Sequence, residues 1–193
     1  KIKELETSHL SLINLSNAFN GKEASQRIGL ETFALRKMFE LVLLTANKRL
    51  SVMTKRRFQM EITKETKGAA QQGLDISVND VFTGITRAIN TLSGGEKFMA
   101  ALSLALGLSD IAQSSSKKNI HLDTIFIDEG FGSLDNEGGF GALDDVLNTL
   151  QDDVASSRAV GIVSHVETVK SAVPFGFNIK KTQIGSHIKL LME

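Results

Sequence analysis

The chain has 193 residues, of which 41% are hydrophobic and 23% are charged, an ordinary globular composition. Its 22 basic and 22 acidic side chains cancel, so overall charge neither favours nor excludes a nucleic-acid partner, and the lack of cysteine excludes disulfide bonds and thiolate metal sites. No run of about 18 apolar residues occurs, so we expect no membrane span.

Two helices are predicted first. Residues 1–19 carry an interrupted heptad of apolar residues, which fits either one amphipathic helix or the end of a coiled coil. A second helix with a broad apolar face is predicted over about residues 32–50. The chain begins without Met and without the apolar region of a signal peptide, which indicates a fragment of a longer protein.

The period of the hydrophobic pattern then changes to two. Residues 56–65 and 74–82 alternate apolar and polar side chains, as half-buried strands do. A third short strand near residues 85–89 completes a predicted antiparallel meander.

From residue 94 the pattern is α/β. A long apolar helix (94–113) precedes a continuous apolar strand (122–128), a helix (137–150) and a second apolar strand (159–164). Continuous apolar strands are typical of parallel sheets, so we expect both to be buried on both faces. A short helix ended by Pro174 and two closing strands, 175–181 and 187–192, complete the pattern.

The stretch "TLSGGEK" opens the long helix at Ser93, Gly94, Gly95 and Glu96. Helix N-termini have unpaired amides and a positive dipole end, and glycines let the backbone approach an anion, so the stretch predicts phosphate binding. The same residues also match a capping box, with Ser93 as the cap and Glu96 reaching back. The two interpretations are compatible.

The strand "TIFID" runs into Asp128 and Glu129. Ligands of α/β proteins bind at the carboxyl ends of strands, so both acids are candidate site residues. A pair of solvated turn acids is the alternative interpretation. Neighbouring strand residues face opposite sides, which predicts different roles for the two acids. Asp128 suits Mg²⁺ held through water, and Glu129 suits the activation of an attacking water.

Two further residues follow at the same predicted edge. His165 comes after the next strand and is a candidate phosphate contact, or a structural histidine. Asp135, in "GSLD", lies near the acids on a loop that we expect to be flexible, or it caps the next helix.

In this order the motifs resemble the ABC-type ATPases. "LSGGE" is similar to their signature motif, "TIFIDE" to the Walker B strand, "SLD" to the D-loop and His165 to the switch histidine. The stretches "DEGFGSLD", "LSGGEKFMAALSLALGLSDIAQ" and "FALRKMFELVLLTANKRLSVMTKRRFQM" resemble one branch, the SbcC exonuclease-subunit family of SMC-like ATPases. The resemblance covers about residues 32–190.

The resemblance implies the C-terminal lobe of an ABC-type P-loop NTPase head. It implies a mostly parallel sheet flanked by helices, a small antiparallel β element and an N-terminal helix derived from a coiled coil. Residues 1–31 would be the end of the coiled coil or a linker, and residues 32–193 the lobe. The sequence has no G-x-x-x-x-G-K-[ST] phosphate loop, which the family carries in an N-terminal Walker A lobe. We therefore expect the isolated chain to hydrolyse no ATP and to expose sheet edge or apolar surface.

By the same resemblance, two heads clamp two ATP molecules with Mg²⁺ and form an ATP hydrolase. Asp128 is implied to hold Mg²⁺ through water, while Glu129 and His165 are the implied catalytic residues. The residues implied to contact ATP from the opposite head are Ser93, Gly94, Gly95, Glu96 and Asp135.

The resemblance also implies partners. These are the Walker A lobe of the same protein, a second head in a homodimer, an SbcD-like nuclease subunit and double-stranded DNA. The implied function is ATP-dependent control of DNA binding and end processing in repair and recombination, in the bacterial cytoplasm at the nucleoid.

A basic cluster between residues 48 and 57 is a candidate DNA-backbone contact. A solvated helix end and turn is the alternative interpretation. The members of the basic cluster are Lys48, Arg49, Lys55, Arg56 and Arg57.

Two other functions fit the motifs. An SMC, RecN-like or phage-defence ATPase would carry the same head, and a non-catalytic module would retain the motifs for dimerisation alone. Intact Glu129 argues against the second, because a degenerate head can lose its base without losing ATP binding.

Overall fold

The computed structural model of the chain describes residues 2–20, 29–63, 74–115, 122–137, 141–155, 158–183 and 185–192. The elements form a mixed α/β fold with a parallel strand pair, flanking helices and a small antiparallel sheet, as the sequence predicts. Among the described residues, no helix combines the length and hydropathy needed to cross a membrane. In chain order the elements are α1 (Ile2–Phe19), α2 (Leu30–Met53), β1 (Phe58–Ile62), β2 (Ile76–Asp80), β3 (Ile85–Ala88), α3 (Gly94–Ser115), β4 (Thr124–Asp128), α4 (Gly132–Glu137), α5 (Ala142–Ala155), β5 (Ala159–Val163), α6 (Glu167–Ala172), β6 (Phe175–Thr182) and β7 (Gly185–Met192).

Helices α1 and α2 agree with the predicted helices. The second half of α2 is buried in the core through Val42, Leu43, Ala46, Leu50 and Met53. Its first half instead exposes large apolar side chains, with Phe33, Met38 and Leu41 each about half exposed. The broad apolar face predicted for this helix is therefore covered only toward its C-terminal end.

Helices α2 and α3 approach each other most closely at Gly107. A Cβ atom at this position would lie 2.8 Å from the backbone nitrogen of Ala46 and 2.9 Å from the carbonyl oxygen of Val42. Both separations are shorter than van der Waals contact, so a larger residue would force the helices apart. This close approach fixes α3, whose first turn carries "SGGE", against α2.

The predicted antiparallel meander is present, with β2 paired to both β1 and β3. Strand β1 has the predicted period of two and buries Phe58, Met60 and Ile62. It begins later than predicted because Lys55 and Arg56 have φ angles of 50° and 63°. These left-handed conformations form a turn after α2 and cannot belong to an extended strand.

Strands β4 and β5 pair in parallel, with Asp128 opposite Val163 at their carboxyl ends. The expectation that both strands are buried on both faces is wrong. Phe126 is 78% exposed and Val163 is 55% exposed, whereas Ile127 is buried. The continuous apolar run therefore belongs to a strand that this chain covers on one face only.

The helix predicted over residues 137–150 corresponds to α5, which begins later, and the short helix α4 precedes it. Gly141, the residue before α5, has a φ angle of 137°, which lies outside the helical region. Helix α5 therefore begins at Ala142. Helix α4 occupies the segment that the sequence predicts to be a flexible loop.

The two closing strands are present as a hairpin, β6–β7, of eight residues in each strand. The apolar side chains of Phe177 and Ile179 are 72% and 67% exposed, and Ile188 on β7 is 69% exposed. The hairpin thus carries an uncovered apolar face.

A cluster of four charged side chains joins α2, α3, α5 and the start of β5. Arg49 donates to Asp110 and to Asp153, each at 2.7 Å. Arg158 donates to Asp110 at 2.6 Å and to Asp153 at 3.5 Å. The Asp153 side chain is only 5% exposed, so its charge is stabilised by these contacts rather than by water.

Because of this ion cluster, we expect the folded protein to be less stable in acid. Burial raises the pKa of Asp110, but hydrogen bonds from Arg49 and Arg158 outweigh it and hold this pKa below the ordinary value of 3.8. A depressed native pKa means that the unfolded chain takes up the proton first, so the stabilisation is present above the ordinary value and is lost as pH falls through the native one. We expect the thermal unfolding midpoint of the full-length protein to fall between about pH 5 and about pH 3.

The control for this prediction is Asp110→Asn, which removes the titrating group while keeping its shape. Its unfolding midpoint should be lower at the start of the titration but should fall less steeply with acid. A midpoint that falls equally steeply in both proteins would contradict the assignment to Asp110.

Candidate functional site

The carboxyl ends of β4 and β5 bring together the acids and the histidine predicted from the sequence. The amide of Glu129 extends the parallel ladder by donating to the carbonyl of Val163 at 2.9 Å. The Oε2 atom of Glu129 lies 2.8 Å from Nδ1 of His165. A carboxylate only accepts hydrogen bonds, so we assign the proton of this contact to Nδ1. Asp128 is exposed beside this pair.

Glu129 reaches His165 because the chain leaves the extended conformation at this residue. Its φ angle is 61°, which residues other than glycine rarely adopt. The expectation that Asp128 and Glu129 both belong to the strand is therefore wrong, since the strand ends at Asp128. A left-handed residue of this kind costs about 1–3 kcal/mol, and such residues cluster at functional positions.

Gly130 shows why glycine follows the two acids. Its φ angle is 103°, and a Cβ atom at this position would overlap the ring of Phe98 on α3. The Phe98 ring packs edge-on against Phe131, with ring centroids 5.0 Å apart and an interplanar angle of 61°. Phe131 is fully buried. Helix α3 therefore presses directly on the chain that follows the acids.

The predicted flexible loop is helical instead. The hydroxyl of Ser133 donates to the carbonyl of Gly130 at 2.8 Å, and the amide of Leu134 donates to the carbonyl of Phe131 at 3.1 Å. Asp135 lies within the resulting helix α4. Its side chain is outside the described part of the structure, so its contact with ATP stays a prediction.

The first turn of α3 forms the capping box that the sequence offers as one interpretation of "SGGE". The Ser93 hydroxyl accepts from the amide of Glu96 at 3.3 Å, and the Glu96 carboxylate accepts from the amide of Ser93 at 3.0 Å. Ser93 and Gly94 are exposed, whereas Gly95 is buried. The cap is therefore structural, and the exposed start of the helix stays compatible with a phosphate contact.

Two arginines from the meander hold the capping residue Glu96. Nη1 of Arg57 lies 3.8 Å from one carboxylate oxygen, and Nη2 of Arg87 lies 3.5 Å from the other. Both guanidinium groups lie over the ring of Phe58, 4.6 and 5.6 Å from its centroid. Arg57 also donates to Asp80 at 3.0 Å, which lowers the pKa of Asp80. The sequence did not identify this role, because it depends on the order of three strands.

Three of the five side chains in the basic cluster predicted to contact DNA are paired with carboxylates of this chain. Arg49 binds Asp110 and Asp153, Arg57 binds Asp80, and Lys55 lies 3.3 Å from Asp145. Lys48 and Arg56 are exposed members of the cluster. A DNA role for this cluster stays a prediction, and it now depends mainly on those two residues.

An apolar groove of about 470 Å³ runs between α3 and β4 and ends at Asp128. Side chains from both elements line it, including Phe98, Leu102 and Ile125. Among the described strands, β4 is paired only with β5, so its other edge has no neighbouring strand. The groove and the strand edge together form an open surface beside the two acids.

The donor set at this edge fits a magnesium ion that is held partly by other molecules. Within the described ranges no group of three or more acidic or histidine side chains could hold a metal by itself. Mg²⁺ commonly keeps several waters and is held by one or two carboxylates together with substrate phosphates. The exposed carboxylate of Asp128 could supply the one protein carboxylate that such a site needs.

Comparison with known proteins identifies relatives that belong to one family. A family model described as SbcC/RAD50-like, Walker B motif, matches residues 48–149. The SbcC subunit of the SbcCD nuclease of Vibrio cholerae serotype O1 is 42% identical over 192 residues, which is 99% of this chain and 18% of that protein. The protein of the same name from Treponema pallidum is 41% identical over 178 residues, 92% of this chain and 16% of that protein. The chain therefore spans less than a fifth of the length of these relatives.

Solved structures with a similar fold include head domains of SMC proteins. A chain from a study of ATP-driven dimerization and DNA-stimulated activation of SMC ATPases has a TM-score of 0.61 at 13% identity, covering 83% of this chain and 89% of that one. The Smc head domain of Pyrococcus furiosus has a TM-score of 0.58 at 16% identity, covering 98% of this chain and 42% of that one. At these identities the likeness supports the fold.

Proposed function

Because this chain belongs to the SbcC/RAD50-like family of SMC-type ATPases, we propose that it is the C-terminal half of a head that hydrolyses ATP at the interface between two heads. The observation that carries the proposal is the 2.8 Å contact between Glu129 and His165 beside the exposed Asp128. Residues 1–31 are then the end of a coiled coil or a linker, and residues 32–193 are the lobe itself.

In this proposal the three residues at the sheet edge divide the chemistry. Asp128 would hold a Mg²⁺ ion through water, and that ion would neutralise phosphate charge. Glu129 orients the attacking water and accepts its proton. His165 fixes the Glu129 carboxylate through Nδ1, and its Nε2 atom lies on the side of Gly132, where the substrate phosphates are proposed to bind. Phosphoryl transfer depends chiefly on positioning and charge stabilisation, which this arrangement supplies.

The start of α3 is proposed to act on the ATP of the opposite head. Ser93, Gly94, Gly95 and Glu96 form the first turn of a helix whose N-terminal dipole favours phosphate. The capping box and the two arginines on Glu96 hold this turn in one orientation before the second head arrives. Asp135 is proposed to contribute from α4 to the same interface. A site completed in trans makes ATP binding a switch for dimerisation.

The Walker A lobe of the same protein is the proposed occupant of the groove beside β4. The unpaired edge of β4 and the 78% exposed Phe126 support this assignment, because a buried parallel strand normally has neighbours on both sides and both faces. The phosphate loop of that lobe would then lie next to Asp128. The site in this chain is therefore proposed to be half of a complete one.

The relatives' name, which places them in the SbcCD nuclease, supports a wider proposal for the full-length protein. Its heads would regulate an SbcD-like nuclease subunit and the binding and end processing of double-stranded DNA in repair and recombination, in the bacterial cytoplasm at the nucleoid. A non-catalytic dimerisation module is a weaker candidate, since it would not need the left-handed Glu129 held against His165.

The proposal predicts that ATP hydrolysis needs both lobes. The full-length protein, and this chain co-expressed with its N-terminal lobe, should release phosphate from ATP at a steady rate. The chain alone should show no turnover above the background, because it has no phosphate loop. Turnover by the isolated chain, or none by the full-length protein with Mg²⁺, would overturn the proposal.

A further inference from the structure

The β6–β7 hairpin carries a basic face, and we propose that this face contacts the phosphate backbone of duplex DNA. The inference rests on the proposed function in that DNA is the substrate of the complete protein. It assigns the contact to a surface separate from the 48–57 cluster. The residues concerned are Asn178, Lys180, His187 and Lys189.

Charge is segregated within a chain whose total charge is zero. Residues 175–192 contain Lys180, Lys181, Lys189 and His187, but no aspartate or glutamate. Three of these residues, with Asn178, form two successive pairs on one face of the hairpin. An acid-free surface of this kind attracts a polyanion, because no neighbouring carboxylate competes for the cations.

The register of the hairpin places Lys180, Lys189 and His187 on one face. Lys180 is paired with His187, and two residues away along the antiparallel ladder Asn178 is paired with Lys189. Side chains two residues apart on a strand share a face and lie about 7 Å apart. The face therefore presents three nitrogen-bearing side chains and an amide in a compact group with the reach to contact several phosphates.

The other face of the hairpin is apolar. Phe177 is paired with Leu190, and Ile179 with Ile188, in the alternating positions. These residues are about half to three-quarters exposed in this chain. Apolar surface of this size is normally covered in a complete protein, and covering it leaves the basic face directed toward solvent. Lys181 falls on the apolar side, opposite Ser186.

The basic side chains of the hairpin differ from the cluster at residues 48–57 in their surroundings. Arg49 and Arg57 in that cluster hold buried carboxylates, which offsets their charge. Among the described residues, Lys180, His187 and Lys189 are exposed and have no carboxylate within ion-pair distance. Only residues 166–174 separate His165 from the hairpin in the sequence.

The test is the salt dependence of DNA binding by the full-length protein. We expect Lys180→Gln combined with Lys189→Gln to weaken binding to a fluorescent duplex at least tenfold near 0.1 M salt. Each lost phosphate contact removes about 0.9 from the slope of log K against log salt, so the slope should become shallower by nearly two. Restoring the charge with Lys180→Arg and Lys189→Arg should restore both the affinity and the slope.

The matched control is Lys181→Gln, which removes a charge from the same strand but from the opposite face. It should change affinity by less than twofold. Equal weakening by Lys181→Gln, or an unchanged slope in the double variant, would overturn the proposal. ATP hydrolysis without DNA is measured in parallel on the parent protein. A parent protein that hydrolyses no ATP would refute the proposed ATPase. The salt slope of DNA binding would still test the hairpin.

Discussion

Glu129→Gln in the full-length protein should lower the rate of ATP hydrolysis at least about 100-fold, because general bases typically contribute factors of that size. Glutamine keeps the length of the side chain and a carbonyl oxygen that accepts from Nδ1 of His165. It cannot accept the proton of the attacking water. ATP binding does not require that proton transfer, so ATP-driven dimers of heads should persist in the variant.

Two measurements on the same preparation separate the outcomes for Glu129. Steady-state phosphate release reports hydrolysis, and light scattering with and without ATP reports dimerisation. Glu167→Gln is the matched control, because it removes a carboxylate two residues from His165. The Glu167 side chain is 83% exposed and is paired with Lys170. Its hydrolysis rate should be near that of the parent. Undiminished hydrolysis in Glu129→Gln would show that Glu129 is not the base.

The secondary structure could be predicted because the hydrophobic period is local information. The change from period 3.6 in α2 to period two in β1 marks both elements, and Phe58, Met60 and Ile62 are buried as the alternation requires. The order of motifs likewise predicted that Asp128, Glu129 and His165 would meet, because parallel strands end at one edge of a sheet.

Burial was predicted only in part: the sequence predicted that β4 is buried on both faces, and also that the isolated chain exposes sheet edge or apolar surface. The apolar run of β4 is that of a doubly covered strand, yet Phe126 is 78% exposed. This chain covers β4 on one face, and we propose that the Walker A lobe covers the other. The first half of α2 likewise carries apolar side chains that this chain leaves exposed.

Backbone conformation at the site was also beyond the sequence pattern. A Glu in left-handed conformation is rare, so no local rule predicts the turn at Glu129, although Gly130 after it hinted at an unusual φ angle. Arg57 and Arg87 reach Glu96 only once three strands are ordered side by side. Such contacts join residues that are distant in sequence and follow no periodicity.

Ser93→Arg should abolish ATP-driven dimerisation of the full-length protein, measured by light scattering with ATP. A long cationic side chain at the exposed start of α3 would block the approach of the opposite head and its nucleotide. The structure complicates this experiment, because Ser93 also caps α3 through the amide of Glu96. Loss of an N-cap costs typically about 1 kcal/mol, so fraying of the helix is a competing cause.

Ser93→Ala separates the two causes, since it removes the cap but leaves the helix start open. If Ser93 acts in trans, Ser93→Ala should dimerise with at most a modest loss of ATP affinity, whereas Ser93→Arg should stay monomeric at saturating ATP. Both variants lose the same hydrogen bond, so only the added bulk and charge distinguish them. Equal loss of dimers in both variants would instead assign the effect to the cap. Normal dimers in Ser93→Arg would show that the start of α3 lies outside the interface.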